Sequence, residues 1–164
     1  MTRKYLAAAI ATVLVAGLSA SASAQTLTDT VSDGAEDAFF FSMVDSGQAR
    51  LTVVWQDAPD VLGMIVGCSL AGETVVFATS VSDQDRILTA DVGIPDGVDC
   101  VAIVEILAGL VTDYTINLLV TSPGGNVLET AQLRPFAEGD ETDPRLLKLA
   151  GDLRLRAKAL RELR

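Results

Sequence analysis

The stretch Asp113-Tyr114-Thr115-Ile116-Asn117-Leu118-Leu119-Val120-Thr121 decides the fold. Tyr114, Ile116, Leu118 and Val120 alternate with Thr115, Asn117, Leu119 and Thr121, the period-two signature of a strand with one buried face. The pattern repeats upstream. Cys100, Ala102, Val104 and Ile106 share a face within Val98–Leu107, and Ile87–Val92 and Thr74–Ala78 read as shorter strands. Leu62, Met64, Val66 and Cys68 alternate with Gly63, Ile65 and Gly67, while Leu51, Val53 and Trp55 alternate with Thr52 and Val54. Turn residues stand between these runs at Asp45-Ser46-Gly47, Ala71-Gly72-Glu73, Pro95-Asp96-Gly97 and Pro123-Gly124-Gly125-Asn126. The last turn leads into an expected final strand, Val127–Leu133. Strand signals at this density from Ala38 to Leu133 predict a mainly β chain folded as an antiparallel sandwich.

The ends of the chain read differently. Arg3 and Lys4 precede an uncharged apolar run, Leu6 to Leu18, which closes on Ala22-Ser23-Ala24 before Gln25. This is the layout of a secretory signal peptide over residues 1–24, and the run is short for a membrane anchor. A periplasmic or secreted protein beginning at residue 25 is expected. In an oxidising compartment Cys68 and Cys100, the only two cysteines, pair most simply as a disulfide. Both lie on faces shared with large apolar residues, so the bond is expected within or across the core. Chain entropy gives a loop of this length about 3–4 kcal/mol of stabilisation.

Composition removes several functions. The 164 residues contain no histidine, which excludes Ser–His and Cys–His catalytic pairs and histidine metal sites. A net charge of −10 argues against nucleic acid as a partner. No nucleophile elbow, S-x-x-K arrangement or phosphate loop is present.

Within this frame Asp33-Gly34-Ala35-Glu36-Asp37-Ala38-Phe39-Phe40-Phe41-Ser42-Met43 resembles the opening of bacterial pre-peptidase C-terminal domains. Leu51-Thr52-Val53 after the Gly47 turn, Val61–Val66, and Asp113-Tyr114-Thr115-Ile116-Asn117-Leu118 are similar to later strands of that family. The resemblance covers about residues 29–121. The stretch Gly97–Ile103, the cysteine pair and the basic tail depart from the family's pattern. It implies a jelly-roll-like sandwich, of a kind that accompanies exported enzymes and in some members binds calcium. Asp33, Glu36 and Asp37, three carboxylates within five residues, are then the candidate calcium ligands. Solvated turn residues are the plainer reading, and no cofactor is otherwise expected.

From Pro135 the composition changes. Glu138, Asp140, Glu141 and Asp143 form an acidic linker, and Asp143-Pro144 reads as N-cap and first position of a helix. Leu146, Leu149, Ala150, Leu153, Ala157 and Leu160 recur at helical spacing, with Gly151 the one interior weakness. Residues 145–164 hold seven Lys or Arg against two acids, whereas residues 25–144 hold three Arg against twenty. Two arrangements of this amphipathic helix stay open: a cover for its own sheet, or an arm that binds a partner through Leu146, Leu149, Leu153 and Leu160 with Arg154 and Arg161. Contact with an anionic membrane surface ranks third. The domain reading is therefore a signal peptide at 1–24, a sandwich at 25–134, and a linker with basic helix at 135–164. The tail is expected to be a separable interaction element, so that deleting residues 138–164 leaves a folded sandwich with little loss of stability and abolishes partner binding. The expected function is a non-enzymatic binding or accessory module for protein or envelope components. The rival is a small secreted hydrolase with paired carboxylates, which needs an acidic cleft.

Overall fold

The computed structural model describes residues 25–56, 60–82, 85–128, 132–137 and 139–162. The signal peptide assigned to residues 1–24 lies outside them, as does Glu138 of the linker. Eight main strands follow in order: β1 (Gln25–Ser32), β2 (Glu36–Met43), β3 (Gly47–Trp55), β4 (Val61–Leu70), β5 (Glu73–Ser82), β6 (Ile87–Ile94), β7 (Val98–Ala108) and β8 (Val111–Thr121). A two-residue strand, β9 (Arg134–Pro135), and one helix, α1 (Pro144–Glu162), complete the chain. One sheet runs β1-β8-β3-β6 and the other β5-β4-β7-β2-β9, with every pairing antiparallel. First pairs with eighth, second with seventh, third with sixth and fourth with fifth, as when one long hairpin is rolled into two layers. This is the eight-stranded jelly roll, the architecture expected from the sequence.

The inward faces are the ones the alternation marks. Phe39, Phe41, Leu51, Val53, Met64, Val66, Leu88, Val104, Ile116 and Leu118 fill the space between the sheets. Tyr114 belongs to the same core and meets Phe39 edge to face, ring centroids 6.2 Å apart. Cys68 and Cys100 sit directly opposite each other on β4 and β7 and are disulfide-bonded, so the bond ties neighbouring strands of one sheet. Ala71 and Gly72 both take positive φ in the β4–β5 hairpin, the geometry that a two-residue turn between twisted strands requires.

Two elements differ from the sequence expectation. β1 is absent from it, because Thr26, Thr28 and Thr30 supply the alternation while Leu27 and Val31 supply the few inward apolar groups. The expected strand Val127–Leu133 is also absent among its described residues. Val127 makes a single bridge to Thr121, and pairing resumes at β9, against β2 in the other sheet. The reason is topological: β3 lies along one edge of β8 and β1 along the other as far as Leu118, so only the last residues of β8 are left for Val127 to pair with.

Candidate functional site

The outer face of the five-stranded sheet is built to be covered. β7 turns Asp99, Val101, Ile103 and Glu105 outward, β2 turns Glu36, Ala38 and Phe40, and β4 turns Ile65 and Gly67. Against this strip α1 lays Leu149, Leu153, Ala157 and Leu160, joined by Phe136 from the linker. Gly67 sets the closeness of approach, because a Cβ there would stand 2.7 Å from Leu153 Cδ2. The helix begins as expected: the Asp143 carboxylate accepts a bond from the Arg145 amide at 2.8 Å, with Pro144 at the first helical position. The linker is anchored too. Arg134 lies over the Phe40 ring and grips Asp140 through both terminal nitrogens, at 2.5 and 2.6 Å.

Charge reinforces this seat. Arg154 Nε donates to Glu36 Oε1 at 2.6 Å, and two turns later Arg161 Nε stands 2.9 Å from Glu105 Oε2. Glu36 and Glu105 are directly opposite on neighbouring strands, so two arginines face two carboxylates. The pairs are unequal. Glu105 is only 1% exposed, and neither of its oxygens has an aligned hydrogen bond, so Arg161 gives it charge without a bond. Burial pushes its carboxyl up to about 7, Arg161 pulls the other way, and Glu36 adds to the rise. Nearer the other end of the strip, burial also raises Asp99. Lys148 donates to the Gly72 carbonyl at 3.2 Å, and Thr74 donates to Asp152 at 2.7 Å, fixing the middle of the helix to the β4–β5 hairpin.

This geometry decides between the two arrangements of the tail: α1 is a lid on its own sheet. Leu146, Leu149 and Leu153 are buried and Leu160 is half-buried, while Arg154 and Arg161 are engaged by Glu36 and Glu105. In the docked state none of the residues assigned to a partner is offered to one. Of the described leucines of α1, Leu147 and Leu155 face outward, 47% and 69% exposed.

The calcium candidates do not converge. Glu36 and Asp37 are consecutive in a strand, and the pleat sends them to opposite faces. Glu36 meets Arg154 under the helix, whereas Asp37 turns to the core side and accepts a 2.7 Å hydrogen bond from Tyr114. Burial raises the Asp37 carboxyl, and the Tyr114 bond partly offsets that rise. Asp33 stays in the exposed β1–β2 turn. Among the described residues no group of three or more histidine, cysteine or acidic side chains is placed to hold a metal ion.

Among the described residues no helix or strand covers the outer face of the other sheet. Its register sets Thr26, Asn117, Thr52 and Thr89 in one row and Thr28, Thr115, Val54 and Ile87 in the next. Thr26 donates to Asn117 and Thr30 to Asp113, both at 2.5 Å, and Arg50 and Asp91 form a forked ion pair. A shallow hollow of about 290 Å³ opens among Thr28, Val54, Gln56, Asp113 and Thr115, with Asp113 the one carboxylate among the described residues that line it. A second depression, beside α1, holds Glu73 and Asp152, and both carboxylates reach Lys148. Reading by apolar periodicity missed this face. Its signal was the Thr-x-Thr-x-Thr run at 26–30.

The sequence matches no protein-family model and no curated protein. Among solved structures it is similar to the crystal structure of a Yersinia pseudotuberculosis-derived mitogen, at 11% identity and a TM-score of 0.48. The match covers 67% of this chain and 94% of that one. No helix among the described residues is long and apolar enough to cross a membrane.

Proposed function

We propose that the chain is an exported, non-catalytic binding or accessory module, and that it meets a protein or envelope component through the open β1-β8-β3-β6 face. The observation that carries this reading is the asymmetry of the sandwich: one outer face is sealed by α1, while the other presents hydroxyls and amides around the hollow at Val54 and Thr115. The disulfide fits an oxidising compartment, and the resemblance to pre-peptidase C-terminal domains points to the same accessory role. The outward rows carry few charges, so recognition there rests on hydrogen bonds and shape and should change little with salt.

The test is capture of envelope components by the immobilised chain, compared with Thr115→Arg and Leu155→Asp variants. Loss of a reproducible partner with Thr115→Arg and its retention with Leu155→Asp supports the reading. Capture that survives Thr115→Arg and disappears with Leu155→Asp moves the surface to α1 and overturns it.

A further inference from the structure

We propose that α1 is a proton-dependent latch: Glu36 and Glu105, side by side beneath its C-terminal half and faced by Arg154 and Arg161, bind the helix more firmly in mild acid than at neutral or alkaline pH. The geometry gives the direction. A carboxylate stripped of water and given no aligned donor is costly in its charged form, and both oxygens of Glu105 are in that position. The groups around it are few. β2 contributes Glu36, a like charge directly opposite, and β4 opposes it with Gly63, which has no side chain. From α1 come Arg161, in contact, and Arg154, committed to Glu36; Lys158 turns outward to Glu162. One arginine without a hydrogen bond therefore offsets both burial and a neighbouring carboxylate. The balance falls on the side of protonation, with Glu105 held up to about 7.

Undocking α1 returns Glu105 to water, where its proton is bound as by an ordinary carboxyl group. The docked state thus holds a proton that the open state releases. Docking is strongest below the ordinary carboxylate range, weakens as pH rises toward 7, and changes no further above it. Opening bares Leu149 and Leu153 on the helix and Ile65, Val101 and Ile103 on the sheet. The leucines assigned to a partner from the sequence are therefore exposed only in the open state.

Native-state hydrogen exchange of the full disulfide-bonded chain between pH 5 and 8 tests this, with β8 amides as the reference for global unfolding. The opening constant of α1 should rise with pH, by up to tenfold per unit below pH 7, and stay above the global unfolding constant read from β8, which marks the opening as local to the helix. In Glu105→Gln the rise should vanish, and α1 should stay as protected at pH 8 as the native chain is at pH 5. In Glu36→Gln the midpoint should move to lower pH, because a like charge is gone. Equal protection of native α1 at pH 5 and 8, or an unchanged rise in Glu105→Gln, overturns the proposal. Should Glu105→Gln fail to fold, the carboxyl ¹³C shift of Glu105 in the native chain decides. A midpoint near neutrality supports the latch, and one in the ordinary carboxylate range overturns it.

Discussion

Tyr114 joins the most legible strand of the chain to a feature that the strand pattern conceals. Its ring is core, as alternation requires, yet its hydroxyl needs a partner at the end of a buried side chain, and it finds Asp37. Tyr114→Phe keeps the ring and removes the one hydrogen-bond donor to that carboxylate among the described residues, so it should cost about 1–3 kcal/mol. The cost depends on pH. The bond favours charged Asp37, so its removal raises that carboxyl further. The variant should lose more stability at neutral pH than at a pH below the ordinary carboxylate range, measured by urea unfolding at the two values. An equal loss at both would mean that the hydroxyl acts only through packing. Glu105 shows the same limit of one-dimensional reading. A single acid within Val101-Ala102-Ile103-Val104-Glu105-Ile106 is visible in the sequence as a charge in apolar company. Its partner, 56 positions later, is set by the seat of the helix alone.

At the scale of elements, the seat of the helix is written in two strands. β4 and β7 are apolar on both faces: Ile65, Val101 and Ile103 turn away from the core between the sheets and are still buried. Strands of that kind are covered on both sides, which already favoured the lid over the arm. Deleting residues 138–164 should therefore destabilise the sandwich strongly, the reverse of the outcome expected for a separable tail. Each of Ile65, Val101 and Ile103 would lose about 1.5–3 kcal/mol of burial. A melting temperature within a few degrees of the intact chain would show that α1 contributes little to the fold. Gly151 gives the converse test. It is helical and a Cβ there meets nothing within 4 Å, so Gly151→Ala should add about 1 kcal/mol of helix propensity. That gain reaches the global unfolding transition only where helix and sandwich unfold together. The strand order, by contrast, was beyond periodicity. Alternation shows which residues face inward, but whether β8 takes β1 or a later strand depends on how the hairpin rolls.

Across the whole molecule, charge and burial act in one direction. The sandwich and linker carry three Arg against twenty acidic residues, and α1 returns part of that imbalance to the sheet through Lys148, Arg154 and Arg161. Asp37, Asp99 and Glu105 are raised by burial in the folded state. A raised group binds its proton more tightly folded than unfolded. Between the ordinary carboxylate range and the folded value, stability therefore falls as pH increases. For Glu105 that window reaches about 7. Asp91, Asp140 and Asp143 are lowered by their arginine or amide partners and act in the opposite sense. Their effect falls at pH values below the ordinary carboxylate range, and the Arg50–Asp91 pair is well exposed on both sides, where such pairs contribute little. Self-repulsion among the excess acids also grows as they ionise. The melting temperature should therefore be highest near the ordinary carboxylate range, decline as pH rises toward 7 and level off above it. Added salt should recover part of the decline by screening that repulsion, leaving the part caused by burying carboxylates. A melting temperature that climbs from pH 5 to pH 8 would mean that Arg154 and Arg161 outweigh desolvation, and that the charged pairs beneath the helix are a net source of stability.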